Sequence, residues 1–296
     1  MDKKTVGTLY LVGTPIGNLE DISLRAIRIL KEVDVLFCED TRRTAVLLKK
    51  FNIEKTFPLQ SFHEHTSTKV IMNICKLLQQ GKTIGYATDA GLPVISDPGF
   101  LLVKAALSIS AEVSVIPGPS AVFLIFVLSA FPSAKFLFHA FFPRGKKEIE
   151  KVLQQVQTLP IVHVFYESPH RLLKTLNILQ NNIPQAQIAL GKELTKKYEE
   201  VLRGTPEELL QELSTRKKIQ GEYCLALLNI PVKNSLEQPA QQVANLISND
   251  LNSQQQEEVK ALVHAGTSSK DTAKFLAKKF GVPRRLIYEF IIRHLT

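Results

Sequence analysis

Residues 9–18 of the chain read Leu9-Tyr10-Leu11-Val12-Gly13-Thr14-Pro15-Ile16-Gly17-Asn18. The apolar run over residues 9–12 stops at Gly13 and gives way to a segment with two glycines and a proline. This order predicts a short buried strand followed by a shaped loop. Because glycine has no Cβ, such a loop lets the backbone approach a ligand closely, although a plain strand-to-helix turn would have the same composition.

The same order returns three times in the first half of the chain. Each predicted strand is followed by a charged or glycine-rich segment. The strands are residues 35–37, 83–87 and 113–116, and the segments after them are 39–42, 89–99 and 117–120. Amphipathic stretches, such as the one that begins at Ser23, separate the strands. Strand–helix alternation predicts a largely parallel α/β sheet, in which ligands lie beyond the carboxyl ends of the strands.

A second α/β unit is predicted further along, with some antiparallel pairing because several of its strands are adjacent in sequence. Its helices are expected to begin at Ser168-Pro169 and at Thr205-Pro206, and Thr205 with Glu208 has the spacing of a capping box. Its predicted strands are residues 136–141, 161–165, 187–190, 199–203 and 223–230.

The expected domain organisation follows from these elements. We expect an N-terminal α/β domain over residues 1–130, a C-terminal α/β domain over 131–231, a linker over 232–242 and a helical extension over 243–296. Residues 260–296 hold eight lysines or arginines and two acidic residues. The extension could form a helix-turn-helix, although a solvated helical hairpin is the alternative, and a contact with RNA or another subunit is favoured over DNA binding.

Composition narrows the class of protein. The chain has 296 residues and a formal net charge of +9, which favours a polyanionic partner. Its three cysteines form no C-x-x-C motif, which is typical of reduced thiols and predicts a cytoplasmic protein. The longest apolar run, residues 121–131, is too short to span a bilayer, so no membrane partner is expected.

The charged segments at the strand ends are the candidates for chemistry. Glu39-Asp40-Thr41-Arg42 offers two carboxylates that can accept a proton and an arginine that can bind phosphate. Asp40 could equally cap the following helix. Asp89 could bind a ligand hydroxyl or amine, and Asp97 is expected to cap a helix. His63-Glu64-His65 lacks an evident third ligand, so no metal site is predicted.

Seven motifs in this order resemble one family closely, over about residues 7 to 230. The chain resembles the ribosomal RNA small subunit methyltransferase I group of the tetrapyrrole-methylase superfamily. The matching motifs are Thr14-Pro15-Ile16-Gly17-Asn18-Leu19, Glu39-Asp40-Thr41-Arg42, Asp89-Ala90-Gly91, Asp97-Pro98-Gly99, Pro117-Gly118-Pro119-Ser120-Ala121, Phe165-Tyr166-Glu167-Ser168-Pro169-His170-Arg171 and Glu193-Leu194-Thr195-Lys196. Leu92 stands where the family usually has threonine, and Gln220 where it usually has lysine.

The resemblance implies two α/β domains of tetrapyrrole-methylase type with the cofactor cleft between them, plus a small C-terminal helical extension. It implies S-adenosylmethionine-dependent 2′-O-methylation of a cytidine ribose in the decoding region of small-subunit (16S) ribosomal RNA, by a homodimer. The residues implied for cofactor binding are Pro15, Ile16, Asp89, Leu92, Ser120, Ala121, Tyr166 and Glu167.

The catalytic candidates are Asp40, Arg42 and Glu193, with Asp40 first as the base and Glu39 and Glu193 behind it. Two other functions stay open from the residues alone. A methyltransferase of the same fold could act on a tetrapyrrole or on a protein side chain. A non-enzymatic RNA-binding protein would share the basic charge but would bind no cofactor.

Overall fold

The structure is a computed structural model that describes residues 6–54, 59–62, 68–94, 99–229, 251, 253–280 and 282–295. The chain forms two compact units, Met1–Asn229 and Ile230–Thr296. The first unit contains two five-stranded sheets. The described residues of the second contain three helices.

The first sheet consists of β1 (Thr8–Val12), β2 (Val35–Cys38), β3 (Gln60–Ser61), β4 (Ile84–Ala87) and β5 (Glu112–Ile116). Its order is β3-β2-β4-β1-β5, and every neighbouring pair is parallel, which confirms the predicted α/β class. The helices of this part are α1 (Leu24–Glu32), α2 (Thr41–Lys50), α3 (Thr68–Gln79), α4 (Gly99–Ser108) and α5 (Ala121–Ser129). All carboxyl ends of a parallel sheet meet at one edge, which gathers the loops after β1, β2, β4 and β5.

Successive side chains of a strand point to opposite faces of this sheet, so they pack into two separate cores, one on each face. Leu36 and Cys38 of β2 pack into the core that includes Leu30 of α1, whereas Phe37 between them packs with Tyr86 and Leu102 on the opposite face. Strands that are buried on both faces read as continuous apolar runs. This is why β2 and β4 carry almost no polar residue.

The second sheet is mixed. It consists of β6 (Phe136–Phe141), β7 (Val162–Glu167), β8 (Gln187–Lys192), β9 (Glu200–Gly204) and β10 (Tyr223–Leu228), in the order β6-β7-β10-β8-β9. β6 and β7 are parallel and the other pairs are antiparallel, as the sequence predicted in outline. Helices α6 (Lys146–Thr158), α7 (Leu172–Asn182) and α8 (Pro206–Ser214) belong to this half.

Helix α5 joins the two halves of the first unit. Although it follows β5 in the chain, it packs against β7, β8 and β10 of the second sheet. Ile125 of α5 is fully buried, and its Cδ1 lies 2.9 Å from the position that a Cβ on Gly191 would occupy. The guanidinium of Arg203 donates to the carbonyl oxygen of Leu128 at 3.1 Å. One face of α5 is thus buried on the second sheet, whereas Phe123 and Val127 of the same helix are exposed.

Two predicted helix starts can be compared with the structure. The capping box of α8 is confirmed: the Glu208 N–H donates to Thr205 Oγ1 at 3.3 Å, and the Thr205 N–H donates to Glu208 Oε2 at 2.7 Å. Helix α7 begins at Leu172 rather than at Ser168-Pro169. The reason is a turn, in which the carbonyl oxygen of Ser168 accepts from the N–H of Arg171 at 3.1 Å.

The second unit contains α9 (Ser253–His264), α10 (Ser269–Phe280) and α11 (Arg284–His294). They enclose an apolar core that includes Val259, Leu276, Ile287 and Ile291. The predicted linker at residues 232–242 and the start of the predicted extension lie outside the described residues. No helix in the described part of the chain is long and apolar enough to cross a membrane.

Candidate functional site

A cavity of about 450 Å³ lies in the first unit, where the carboxyl edge of the first sheet meets the second sheet. Residues from both halves form its wall. They are Ile16, Glu39, Thr88, Ala90, Gly91, Leu92, Ser120, Ala121, Phe141, Tyr166, Glu167, Ser168, Pro169, Gly191, Leu194, Gly221, Glu222, Tyr223 and Cys224. Cavities that bind small ligands span about 300–1,000 Å³, so this one can hold a cofactor-sized molecule.

Glycines bring the strand-end loops together on the first-sheet side. A Cβ on Gly13 would lie 2.6 Å from the backbone nitrogen of Gly118, so neither loop tolerates a larger residue at this contact. The N–H of Thr14 donates to the carbonyl oxygen of Gly91 at 3.0 Å, and the Gly91 N–H donates back at 3.1 Å. Gly91 has a φ of +84°, a conformation that glycine adopts without strain. These contacts hold Ile16 and Leu92 at the cavity wall.

The two carboxylate side chains of the segment after β2 point in different directions. Glu39 lines the cavity, and its Oε2 accepts from the N–H of Asp89 at 3.3 Å. Asp40 caps α2 instead, because its Oδ1 accepts from the Arg42 N–H at 2.8 Å, and its Oδ2 pairs with the Arg42 guanidinium at 2.7 Å. The hydrogen bonds from Arg42 hold the pKa of Asp40 well below its usual range. A carboxylate of such low pKa is a weak proton acceptor.

Tyr166 and Glu167 reach the cavity from the second sheet. Burial raises the pKa of Tyr166 to about 12, so its hydroxyl stays protonated at neutral pH and can donate a hydrogen bond. The carboxylate of Glu167 is fully buried, accepts from Thr175 Oγ1 at 2.6 Å and from the Ser168 N–H at 2.7 Å, and pairs with Arg171 at 3.2 Å. These partners make Glu167 the anchor of the turn that follows β7.

Glu193 lies in a strained loop after β8. Its Oε1 accepts from the Glu222 N–H at 2.9 Å and from Lys196 Nζ at 3.0 Å. Burial alone would raise the pKa of Glu193, but these hydrogen bonds outweigh it, and the pKa lies below its ordinary value. Glu193 and Thr195 have φ values of +51° and +68°. Non-glycine residues seldom adopt this conformation, and such strain clusters at functional sites.

The structure brings most of the predicted cofactor residues together. Six of them line the cavity: Ile16, Leu92, Ser120, Ala121, Tyr166 and Glu167. Pro15 and Asp89 line a neighbouring cavity of about 90 Å³. Among the described residues, the walls of the two cavities do not include the catalytic candidates Asp40, Arg42 and Glu193. Asp97 and His63-Glu64-His65 fall outside the described residues.

Sequence reasoning missed the wall that β10 contributes. Tyr223, the first residue of β10, pairs with Glu167 at the carboxyl end of β7 and with Lys192 at the carboxyl end of β8. Because β10 is antiparallel to both neighbours, its amino end shares their edge. Site residues were expected only after the carboxyl ends of strands, and this expectation does not lead to Gly221, Glu222 or Cys224 at the amino end of β10. The Gly221-Glu222 pair just before an apolar strand was the available signal.

The charge of the cavity wall selects among ligands. The wall contains three glutamates and, among the described residues, no lysine, arginine or histidine. Arg171 pairs with Glu167 at 3.2 Å and Lys196 pairs with Glu222 at 2.9 Å, which leaves Glu39 to attract a cation. Burial raises the pKa of the Cys224 thiol, so this residue is not a thiolate nucleophile. The described residues include no cluster of three His, Cys, Asp or Glu side chains that could hold a metal ion.

Comparison with known proteins identifies the family. Residues 8–210 match the family model of Tetrapyrrole (Corrin/Porphyrin) Methylases. The chain is 44% identical over 222 residues to the Ribosomal RNA small subunit methyltransferase I of Thermotoga maritima, covering 75% of this chain and 98% of the relative. It is 38% identical over 287 residues to the protein of the same name from Bacillus subtilis, covering 97% of this chain and 94% of the relative.

Solved structures share the fold at low sequence identity. A uroporphyrin-III-C-methyltransferase from Thermus thermophilus aligns with a TM-score of 0.51 at 18% identity, covering 75% of this chain and 94% of the other. A diphthine synthase aligns with a TM-score of 0.59 at 11% identity, covering 75% and 90%. The chain belongs to the tetrapyrrole methylase family and, within it, to the ribosomal RNA small subunit methyltransferase I group.

Proposed function

We propose that the chain is an S-adenosylmethionine-dependent methyltransferase that modifies the ribose 2′-oxygen of a cytidine in the decoding region of small-subunit ribosomal RNA. The observation that carries the proposal is the acidic, cofactor-sized cavity, built by the same motifs that place the chain in its family. The relatives from Thermotoga maritima and Bacillus subtilis are named as methyltransferases of small-subunit ribosomal RNA.

The cavity wall fits S-adenosylmethionine in shape and in charge. Its volume of about 450 Å³ suits a nucleoside-sized ligand. Glu39 supplies negative charge, which favours a ligand that carries a sulfonium and an ammonium group and disfavours a polyphosphate. Gly91, Ser120 and Ala121 have small side chains or none, so the ligand can approach the backbone closely at this part of the wall. We assign Ile16, Leu92, Ser120, Ala121 and Tyr166 to cofactor contacts.

The remaining predicted cofactor residues hold the loops around the cavity in place. Glu167 anchors the turn that presents Ser168 and Pro169 to the cavity. Asp89 holds the loop after β4 against α2, since its Oδ1 accepts from the Asp40 N–H at 2.9 Å and its Oδ2 lies 3.5 Å from Arg43. Pro15 lies beside Asp89 in the smaller cavity. The cofactor would supply an electrophilic methyl group in the larger cavity.

Transfer to a ribose hydroxyl needs a proton acceptor and a fixed approach. The hydroxyl is a weak nucleophile, and the proton that it loses must pass to a base or to water. Glu39 is the carboxylate of its segment that faces the cavity, so we assign it the role of base. Asp40 and Arg42 then shape the segment, and the exposed Arg42 is available to an RNA phosphate. Glu193 fixes the loop after β8 through Lys196 and Glu222.

The partner and the cellular setting follow from charge and from the family. A net charge of +9 favours RNA, since neutralised phosphates dominate the affinity of such complexes. We propose that the protein works in the cytoplasm, where its substrate is made, and that it forms a homodimer. Sedimentation equilibrium at several protein concentrations tests the homodimer, and a monomer throughout would refute it.

Cofactor binding and methyl transfer test the proposed enzymatic activity. Calorimetry should show that S-adenosylmethionine and its demethylated product bind the full chain. Ala121→Leu, which narrows the cavity, should weaken both, whereas Ala265→Leu at an exposed site in the second unit should not. Transfer of labelled methyl groups to small ribosomal subunits, followed by mapping of the nucleotide, tests the substrate. Binding without transfer to any ribosomal RNA would refute the assigned substrate, and absence of binding would refute the enzyme.

A further inference from the structure

Phe141 is the most exposed aromatic side chain at the cavity. It lines the cavity, yet 55% of its surface is open to solvent. It packs edge-on against Tyr166 with ring centroids 5.6 Å apart, and Phe138 meets the same tyrosine at 5.1 Å. Ligand cavities are lined mainly by apolar and aromatic side chains, so an aromatic ring on the open side of this cavity is placed to contact a ligand.

A bulge in β6 is what turns this ring toward the cavity. The register between β6 and β7 shifts between Phe138, opposite Val164, and Phe141, opposite Tyr166. Ala140 has a φ of +58°, which accommodates the extra residue. In an unbroken strand, Phe138 and Phe141 would point to opposite faces, because side chains alternate. Bulges re-aim side chains next to functional sites in this way.

Hydrogen bonds from Arg171 fix the backbone after Phe141, and three basic residues follow it in the chain. The Arg171 guanidinium donates to the carbonyl oxygen of Phe142 and, at 3.2 Å, to that of Pro143. Arg144, Lys146 and Lys147 come next, are exposed, and form no ion pair with a carboxylate in the described part of the chain.

The first turn of α6 does not itself bind an anion in this arrangement. The carboxylate of Glu148 folds back toward Gly145, where a Cβ would meet its Oε2 at 2.0 Å. The long basic side chains therefore carry the attraction for phosphate. They follow Phe141 within six residues of the chain and do not belong to the described cavity wall, so cationic groups come directly after the aromatic ring at the end of β6.

We propose that Phe141 is a stacking platform for an unpaired RNA base beside the methyl-transfer cavity, with Arg144, Lys146 and Lys147 holding the adjoining phosphates. The ligand class is single-stranded RNA with one base turned out of its stack. This inference rests on the proposed function, because it places the ribose of the turned-out nucleotide at the cavity.

A stacking platform would help a ribose in folded RNA to reach the cavity. A ribose whose base is stacked inside folded RNA cannot enter a cavity of this size, so the nucleotide must leave its neighbours. Enzymes that turn a base out of its stack hold it between aromatic or apolar side chains. Proteins that bind single-stranded nucleic acid combine such rings with a basic groove.

Three variants of the full chain test the platform. Phe141→Ala removes the ring and Phe141→Trp keeps one. Phe123→Ala removes a phenylalanine of similar exposure, 53%, that does not line the cavity. The probes are a short fluorescein-labelled single-stranded RNA and a duplex of the same sequence, measured by anisotropy. Calorimetry with S-adenosylmethionine and thermal melting accompany each variant.

We expect Phe141→Ala to weaken binding of the single strand by about tenfold or more, as for other base–aromatic contacts. It should raise KM for ribosomal subunits while duplex binding, cofactor affinity and melting temperature stay unchanged. Phe141→Trp should restore binding, and Phe123→Ala should behave as wild type. Weaker cofactor binding by Phe141→Ala would overturn the proposal, since the ring would then contact the cofactor. Unchanged single-strand binding would also overturn it.

Failure of the proposed function gives a different result. If the wild-type protein binds the single strand through Phe141 but methylates no ribosomal RNA, the platform stands and the assigned substrate is wrong. If the wild-type protein methylates ribosomal RNA and Phe141→Ala does so with the same KM, the substrate stands and the platform is wrong.

Discussion

The backbone N–H of Asp40 donates a hydrogen bond of 2.9 Å to Oδ1 of Asp89. The Asp89 N–H in turn donates to Glu39 Oε2 at 3.3 Å, so the segments after β2 and β4 hold each other through two carboxylates. This exchange uses the Asp89 side chain as a structural link and leaves Glu39 at the cavity wall. The Asp89 carboxylate therefore connects the two segments, and the Glu39 carboxylate lies at the cavity wall.

Glu39→Gln should lower the turnover number for methyl transfer by about 100-fold or more, because a positioned general base contributes about 10²–10⁴. Cofactor affinity should change little. Asp40→Asn keeps an oxygen that can cap α2, and we expect it to reduce turnover far less. Single-turnover methylation of ribosomal subunits measures both. If Asp40→Asn shows the larger loss, the base lies at Asp40 and the assignment to Glu39 is wrong.

Thr175→Val should destabilise the first unit by about 1–3 kcal/mol, since it leaves a buried carboxylate with one partner fewer. Thr175 is 2% exposed and donates to Glu167 Oε2 at 2.6 Å. Thr158→Val at the exposed end of α6 is the matched control and should change stability by about 0.5 kcal/mol or less. Urea unfolding measures both, and equal effects would remove Glu167 from its anchoring role.

The unfolding free energy should fall as the pH drops from about 6.5 toward 4. Burial, together with the neighbouring His163, lowers the pKa of His139 to about 4, and burial also lowers the pKa of His163. Below pH 6.5 the unfolded chain therefore binds more protons than the folded chain, and protonation favours unfolding. Above that pH the contribution is fully present.

His139→Gln should make this pH dependence shallower. Nε2 of His139 lies 2.8 Å from Nδ1 of His163, and a glutamine amide can still donate to that nitrogen. His264→Gln replaces an exposed histidine of the second unit and serves as the control. Urea unfolding across this pH range gives the slopes. Identical slopes for His139→Gln and wild type would show that the histidine pair does not govern acid stability.

Replacing Lys270, Lys274 and Lys278 by glutamine should reduce the salt dependence of RNA binding. The three lysines are exposed at intervals of one turn along α10. If each neutralises one phosphate of single-stranded RNA, the slope of log affinity against log salt should flatten by about 2. Lys49→Gln with Lys50→Gln is the control, because these exposed lysines end α2 away from the carboxyl edge of the sheet. An unchanged slope would exclude α10 from the RNA contact.

Patterns in the sequence predicted the features that depend on near neighbours in the chain. The apolar runs and strand-end loops predicted the parallel sheet, and Thr205 with Glu208 predicted a capping box that the structure confirms. The motif at Ser168-Pro169 predicted a helix, but a turn precedes α7, because the Ser168 carbonyl accepts from Arg171 there. Which way adjacent side chains point was not predictable. The sequence made Asp40 the first candidate for the base, whereas Glu39 is the one that lines the cavity.

The sequence by itself determined which segments are strands, which loops follow them and where charge accumulates, because periodicity, turn chemistry and capping act within a few residues. Only the tertiary structure decided that α5 packs on the second sheet, that the amino end of antiparallel β10 closes the cavity, and that the bulge at Ala140 turns Phe141 toward it. These features depend on strand register and direction. A shift of one residue moves a side chain to the other face, and residues far apart in the chain fix that register.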